Sequence, residues 1–86
     1  MYIASAGTME SNDCMMTVKR QKGIKVEIES IVFKQFGKQI RVVIFETLSD
    51  LDIRDIYVHC NDKGALDYTI KARLKTAIQR LEDQHA

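Results

Sequence analysis

Apolar and charged residues alternate without a break along Ile24-Lys25-Val26-Glu27-Ile28-Glu29, the period-two pattern of a strand with one buried face. The preceding Cys14-Met15-Met16-Thr17-Val18-Lys19 also suits a strand, and Arg20-Gln21-Lys22-Gly23 between them suits a turn. The two segments are therefore expected to pair as a β-hairpin. A hairpin alone is barely stable in water, so helices should cover its apolar face. Phe33, Phe36, Ile40, Val43, Ile44 and Leu48 supply one, recurring at spacings of three and four with Ser30 placed to cap the helix. Gly37 lies inside that stripe at a cost of roughly 1 kcal/mol relative to Ala. It fits either a close approach to the sheet or a tolerated surface glycine.

Ser49-Asp50-Leu51-Asp52 ends the helix. A third strand follows, with Ile56, Val58 and Cys60 on one face and Asp55, Tyr57 and His59 on the other. Asn61-Asp62-Lys63-Gly64 punctuates, and Leu66, Ile70, Leu74, Ala77, Ile78 and Leu81 form a second helical stripe. Residues 65–72 also alternate and could pair as a fourth strand. Helix is preferred, because Leu74 to Leu81 continues the same stripe. The expected order is β-β-α-β-α, an α+β fold with about three strands covered on one face by two helices. Residues 13–86 form the single domain, and residues 1–12, which carry no sustained period, read as a flexible N-terminal segment.

Eighty-six residues suffice for one domain but not for a deep cavity inside one core. With 45% apolar and 29% charged residues the chain has the makeup of a folded protein rather than a disordered one. A net charge of +1 supplies no global field for nucleic acid or anionic lipid. No apolar run approaches the ~18 residues of a membrane span, and residues 1–6 lack the basic and apolar regions of a secretory signal. A cytoplasmic protein is expected, in which Cys14 and Cys60 stay free thiols.

Ser11, His59 and Asp13 include the residue types of a hydrolytic triad, yet no nucleophile elbow surrounds the serine. His59 is expected on the sheet face away from the core, and His85 in a frayed terminus. No cysteine and histidine spacing supports a metal site, and Gly7, Gly23, Gly37 and Gly64 match no phosphate-binding loop. Two basic clusters, Lys19, Arg20, Lys22 and Lys25, then Lys71, Arg73, Lys75 and Arg80, leave a small RNA-binding or adaptor domain as the alternative from another class. Neither the loop nor the aromatic strand of RNA-binding modules accompanies them.

The remaining feature is Ala6-Gly7-Thr8-Met9-Glu10-Ser11-Asn12-Asp13. By residue type it is a solvated turn, and an exposed hydroxyl there is open to modification by another enzyme. This stretch resembles the signature of the acyl carrier subunit (gamma chain) of citrate lyase. Lys34-Gln35-Phe36-Gly37 with Ile40-Arg41 resembles that family's central helix. Asp62-Lys63-Gly64-Ala65-Leu66-Asp67, with Ile70, Ala72, Arg73 and Leu74, resembles its last segment. The three blocks occur in order and span nearly the whole chain, although Asn12 and Tyr68 depart from the family pattern. Ser49-Asp50-Leu51 is similar to the serine motif of ordinary pantetheine carriers only with its order inverted, and Ser5 and Ser30 have no comparable surroundings.

The resemblance implies a carrier without catalytic residues of its own. Ser11 would be the attachment point of 2'-(5''-phosphoribosyl)-3'-dephospho-CoA, covalently joined by a dedicated prosthetic-group transferase and acetylated by a ligase. The arm would hold acetyl and citryl thioesters while the alpha (acyl transferase) and beta (lyase) subunits of citrate lyase convert citrate to oxaloacetate and acetate. Glu10 and Asp13 beside an anionic linkage would keep the arm off the carrier's own surface and in solvent. The carrier subunit of malonate decarboxylase is the nearest functional alternative. The Ala-Gly-Thr-x-Glu-Ser opening favours the citrate assignment.

Overall fold

In the computed structural model, which describes residues 2–84, the sheet is organised around a strand near the C-terminal end of the chain. Its elements run β1 (Ile3–Gly7), β2 (Cys14–Lys19), β3 (Ile24–Ser30), α1 (Phe33–Asp50), β4 (Ile56–Asp62) and α2 (Asp67–Asp83). The strand order is β1-β2-β4-β3. β4 pairs antiparallel with β2 and parallel with β3. The class is therefore α+β with a mixed four-stranded sheet, close to the expected fold but with one more strand.

That extra strand lies in the segment that reads as irregular from sequence. Ile3–Gly7 pairs antiparallel with β2 at the sheet edge. Its alternating buried positions, Ala4 and Ala6, are small and carry little of the usual β signature. α2 closes over this edge. Arg80 Nη1 donates to the Ser5 carbonyl at 2.8 Å, and Gln84 Nε2 to the Ile3 carbonyl at 2.8 Å. These bonds occupy acceptors that an edge strand would otherwise leave bare.

The expected hairpin between β2 and β3 does not form. β4 lies between them, and the hairpin of this fold is β1–β2. The turn at Gly23 serves the crossover instead. Gly23 takes a left-handed φ of 76°, its N–H donates to Asp55 Oδ1 at 2.7 Å, and its carbonyl accepts from Ile56 N at 2.9 Å. β3, α1 and β4 thus form a parallel β-α-β unit, which needs a helix-length connection.

β4 follows the sequence pattern closely, with Ile56, Val58 and Cys60 buried. The second helix is also as expected: residues 67–72 are helical, and Ile70, Leu74, Ala77, Ile78 and Leu81 are buried. α2 packs on β1 and β2, and α1 packs on β3 and α2. Met16, Val18, Ile44, Leu48, Val58, Ile70 and Leu74 are fully buried between the layers.

α1 departs from its expected stripe at its start. Gly37, Ile40, Ile44, Thr47 and Leu48 face inward, whereas Phe33 and Phe36 are half exposed. Gly37 is buried under the Phe33 ring rather than against the sheet: a Cβ built there would lie 2.8 Å from that ring. Ser30 does not cap the helix, whose N-cap position is Val32. Its hydroxyl accepts from Val32 N at 3.1 Å and donates to Asp62 Oδ2 at 2.7 Å.

Candidate functional site

Every pair in the β1–β2 register, from Ile3↔Lys19 to Gly7↔Met15, is equidistant from position 11. Ser11 therefore occupies the tip of the hairpin. It is exposed, and no hydrogen bond engages its hydroxyl among the described residues.

The turn that carries Ser11 is tightly built. Gly7 leaves β1 at φ 105°, where a Cβ would run into the Cys14 carbonyl oxygen, so only glycine fits. Thr8 Oγ1 donates to Asp13 Oδ2 at 2.7 Å and accepts from Glu10 N at 3.2 Å. Asp13 N closes a turn onto the Glu10 carbonyl at 3.2 Å. Asn12 adopts φ 66°, a left-handed conformation that asparagine tolerates. Its N–H donates to the Lys63 carbonyl at 2.8 Å, and Lys63 N returns a bond to the Asp13 carbonyl at 2.9 Å. The β2–β4 ladder thus continues one step beyond the strands.

Asp13 is the hub of this turn. Its carboxylate accepts from Arg73 Nε at 3.0 Å and Nη2 at 3.2 Å, from Thr8, and from Cys14 N at 2.7 Å. The Arg73 guanidinium, followed by Thr8 and the Cys14 amide, holds the Asp13 carboxyl well below the usual carboxylate range. The pairing raises Arg73 in turn. A second hub lies behind the first. Asp62, buried at the end of β4, accepts from Ser30 Oγ, from Gly64 N at 3.1 Å and from Ala65 N at 2.9 Å. It fixes the connection into α2 that Lys63 shares with the hairpin tip.

The residues of a hydrolytic triad are not brought together. His59 lies on the outer face of the sheet, as expected, with Nε2 at 2.7 Å from Glu29 Oε1, while Asp13 is committed to Arg73. His85 falls outside the described residues. Cys14 and Cys60 are buried free thiols in the core. Among the described residues no group of acids, cysteines and histidines could hold a metal ion. The basic cluster on α2 is partly internal, since Arg73 binds Asp13 and Arg80 binds the Ser5 carbonyl. Ser49 is a helical residue near the end of α1.

Sequence reasoning reached Ser11, and Asp13 only as an acid beside it, but not the bonds by which Asp13 and Asp62 fix its surroundings. Asp13 and Arg73 are sixty positions apart, and Asp62 read as punctuation. The signal available was their position at strand ends, where a short acid can bond nearby amides.

The fold is thus a small α+β domain with an exposed serine hydroxyl at the tip of a braced hairpin. Residues 2–81 match the family described as ACP: Malonate decarboxylase delta subunit (MdcD). The chain is 51% identical over 78 residues to a citrate lyase acyl carrier protein of Halothermothrix orenii, covering 90% of this chain and 83% of that one. It is 54% identical over 79 residues to the Streptococcus mutans protein of the same name, covering 90% and 78%. A solved structure of a Pseudomonas malonate decarboxylase hetero-tetramer in complex with malonate contains a chain of the same fold, with TM-score 0.80 and 17% identity over 93% of this chain and 84% of that one. The chain belongs to the citrate lyase acyl carrier protein family, and its role is that of an acyl carrier.

Proposed function

We propose that Ser11 is the residue through which this carrier bears its prosthetic group, 2'-(5''-phosphoribosyl)-3'-dephospho-CoA, and that the acyl groups carried are those of citrate cleavage. The observation that supports this reading is the free, exposed hydroxyl at the centre of the hairpin register. When bound, the group supplies a terminal thiol that holds acyl units as thioesters.

The chain's own residues fit an anionic phosphodiester at that point. Asp13, the acid that would repel it at short range, is neutralised by Arg73, and Glu10 is exposed to screening solvent. Asn12, Asp13 and Lys63 fix the turn by main-chain bonds, so a transferase meets a hydroxyl in a defined place rather than on a slack tail. The catalytic groups would belong to partners: an acyl transferase subunit, a lyase subunit, the prosthetic-group transferase and an acetylating ligase. Tethering replaces diffusion between the partner sites by a high local concentration. No helix among the described residues is long and apolar enough to cross a membrane, and a cytoplasmic complex fits this reading.

Intact mass of protein produced with its transferase, compared with Ser11→Ala, tests the assignment. The expected result is an added mass of the full arm on the native chain and none on the variant. The same added mass on both would place the attachment elsewhere. The malonate decarboxylase type of carrier is the second reading, favoured by the shared fold. An acyl-exchange assay with acetate and citrate against malonate separates the two.

A further inference from the structure

An open cleft of about 690 Å³ runs between the start of α1 and the start of α2. Asn12, the residue after Ser11, is part of its lining. Ile31, Val32, Phe36, Ala65, Leu66 and Tyr68 make up much of its wall. Four of these are large apolar side chains left in water: Ile31 is 68% exposed, Phe36 53%, Leu66 60% and Tyr68 72%. So much unshielded apolar surface in one concavity marks a binding site rather than chance exposure. The cleft is not purely greasy. Gln39 and Asp67 line it, joined by a 2.7 Å bond from Gln39 Nε2 to Asp67 Oδ2, and Asn12 directs its side-chain oxygen toward Gly64.

We infer that this cleft seats the adenosine portion of the prosthetic arm, leaving the pantetheine thiol free in solvent. The inference rests on Ser11 being the attachment residue. The argument is one of chemistry and position. In a phosphoribosyl-dephospho-coenzyme A arm the nucleoside lies near the root, separated from the serine oxygen only by a phosphate and a ribose, whereas the thiol lies at the far end. A purine is flat, apolar on its faces and hydrogen-bonding at its edge. Phe36 and Tyr68 offer ring surface for the faces, and Gln39, Asn12 and Asp67 offer donors and acceptors for the edge. The charges nearby are compatible with this seating: Asp13 is paired with Arg73, Asp62 is buried with its oxygens turned to Ser30 and two amides, and the portion placed beside Asp67 is the uncharged nucleoside. The expectation from sequence of an arm wholly in solvent is thereby narrowed to its outer half. Docking is intramolecular, so even weak intrinsic affinity for a nucleoside suffices.

The test is nuclear magnetic resonance of the holo protein, its loading first confirmed by intact mass, beside apo protein and the Phe36→Ala and Tyr68→Ala variants in holo form. Both aromatic residues are more than half exposed, so neither truncation threatens the fold. The expected result is contact between the adenine protons and the Phe36 and Tyr68 ring protons. The adenine resonances should be displaced from those of free dephospho-coenzyme A and return toward them in both variants. Holo spectra that differ from apo only at residues 8–13, with adenine resonances at their free positions, would overturn the cleft assignment while leaving Ser11 as the attachment. Added mass that persists in Ser11→Ala would overturn both.

Discussion

Arg73 on α2 grips Asp13 at the base of the hairpin tip with two parallel bonds, Nε to Oδ1 at 3.0 Å and Nη2 to Oδ2 at 3.2 Å. A forked guanidinium matched to both carboxylate oxygens fixes direction as well as distance. The clamp thereby ties the Ser11 turn to a helix sixty residues away in sequence.

Replacing Arg73 with Met should free the turn without unfolding the domain, because the core beneath α2 is apolar and untouched. Amide hydrogen exchange at residues 8–13 is expected to accelerate, while the amides of β4 keep their protection. Loading by the prosthetic-group transferase should slow in Arg73→Met and recover in part in Arg73→Lys, which keeps the charge but not the fork.

Acid should act through the same pair. The folded Asp13 carboxyl titrates well below its ordinary value of 3.8, so the unfolded chain takes up this proton first as pH falls. The contribution is therefore complete at neutral pH and declines below about pH 4. Thermal melts from about pH 5 down to about pH 2.5 should show a steeper loss for the native chain than for Asp13→Asn, which has no such proton to bind.

Asp62 is expected to matter more for stability than Asp13. Its buried carboxylate satisfies Ser30 Oγ, Gly64 N and Ala65 N together. Asp62→Ala leaves those donors without their acceptor and should cost about 2–3 kcal/mol in urea unfolding. Ser30→Ala, which removes one bond, should cost about 1 kcal/mol.

Two glycines with left-handed backbones should respond differently to alanine. At Gly7 the added methyl meets the Cys14 carbonyl, so Gly7→Ala must distort the hairpin. At Gly23 nothing lies within 4 Å of the added carbon, and only the backbone preference is lost. Chemical denaturation should rank Gly7→Ala well below Gly23→Ala, with the latter costing about 1 kcal/mol.

The two thiols should be silent in the folded protein. Cys14 beside it, together with burial, pushes the Cys60 thiol above its ordinary range, and both side chains are inaccessible. An aromatic disulfide reagent should label neither at neutral pH until denaturant is added.

Strand β4 and helix α2 were legible because their inward residues are large and their periods unbroken over a full element. β1 was not, since Ala4 and Ala6 bury little surface and Gly7 and Ser5 mimic a loop. The pairing of strands was hidden for another reason. Cys14–Lys19 and Ile24–Ser30 are adjacent in sequence with a turn between them, but β4 has two hydrogen-bonding edges and satisfies both, which no local pattern records. For the site, Ser11 was visible from the wording around it, whereas the bonds that steady it join Asp13 to Arg73 and Asn12 to Lys63 across long stretches of chain. The cleft escaped notice because Phe36 and Leu66 fall on helical stripes and read as core.

The register centres the tip on Ser11, and the main-chain bonds that join Asn12 and Asp13 to Lys63 keep that residue from trailing on a leash. A group carried there would start from a fixed origin, and with its inner half seated in the cleft the sites it visits would be set by the length of its outer half and the seating of the domain. A neighbour that recognises only the back of the last helix would, through the Asp13 clamp, already know where that origin lies.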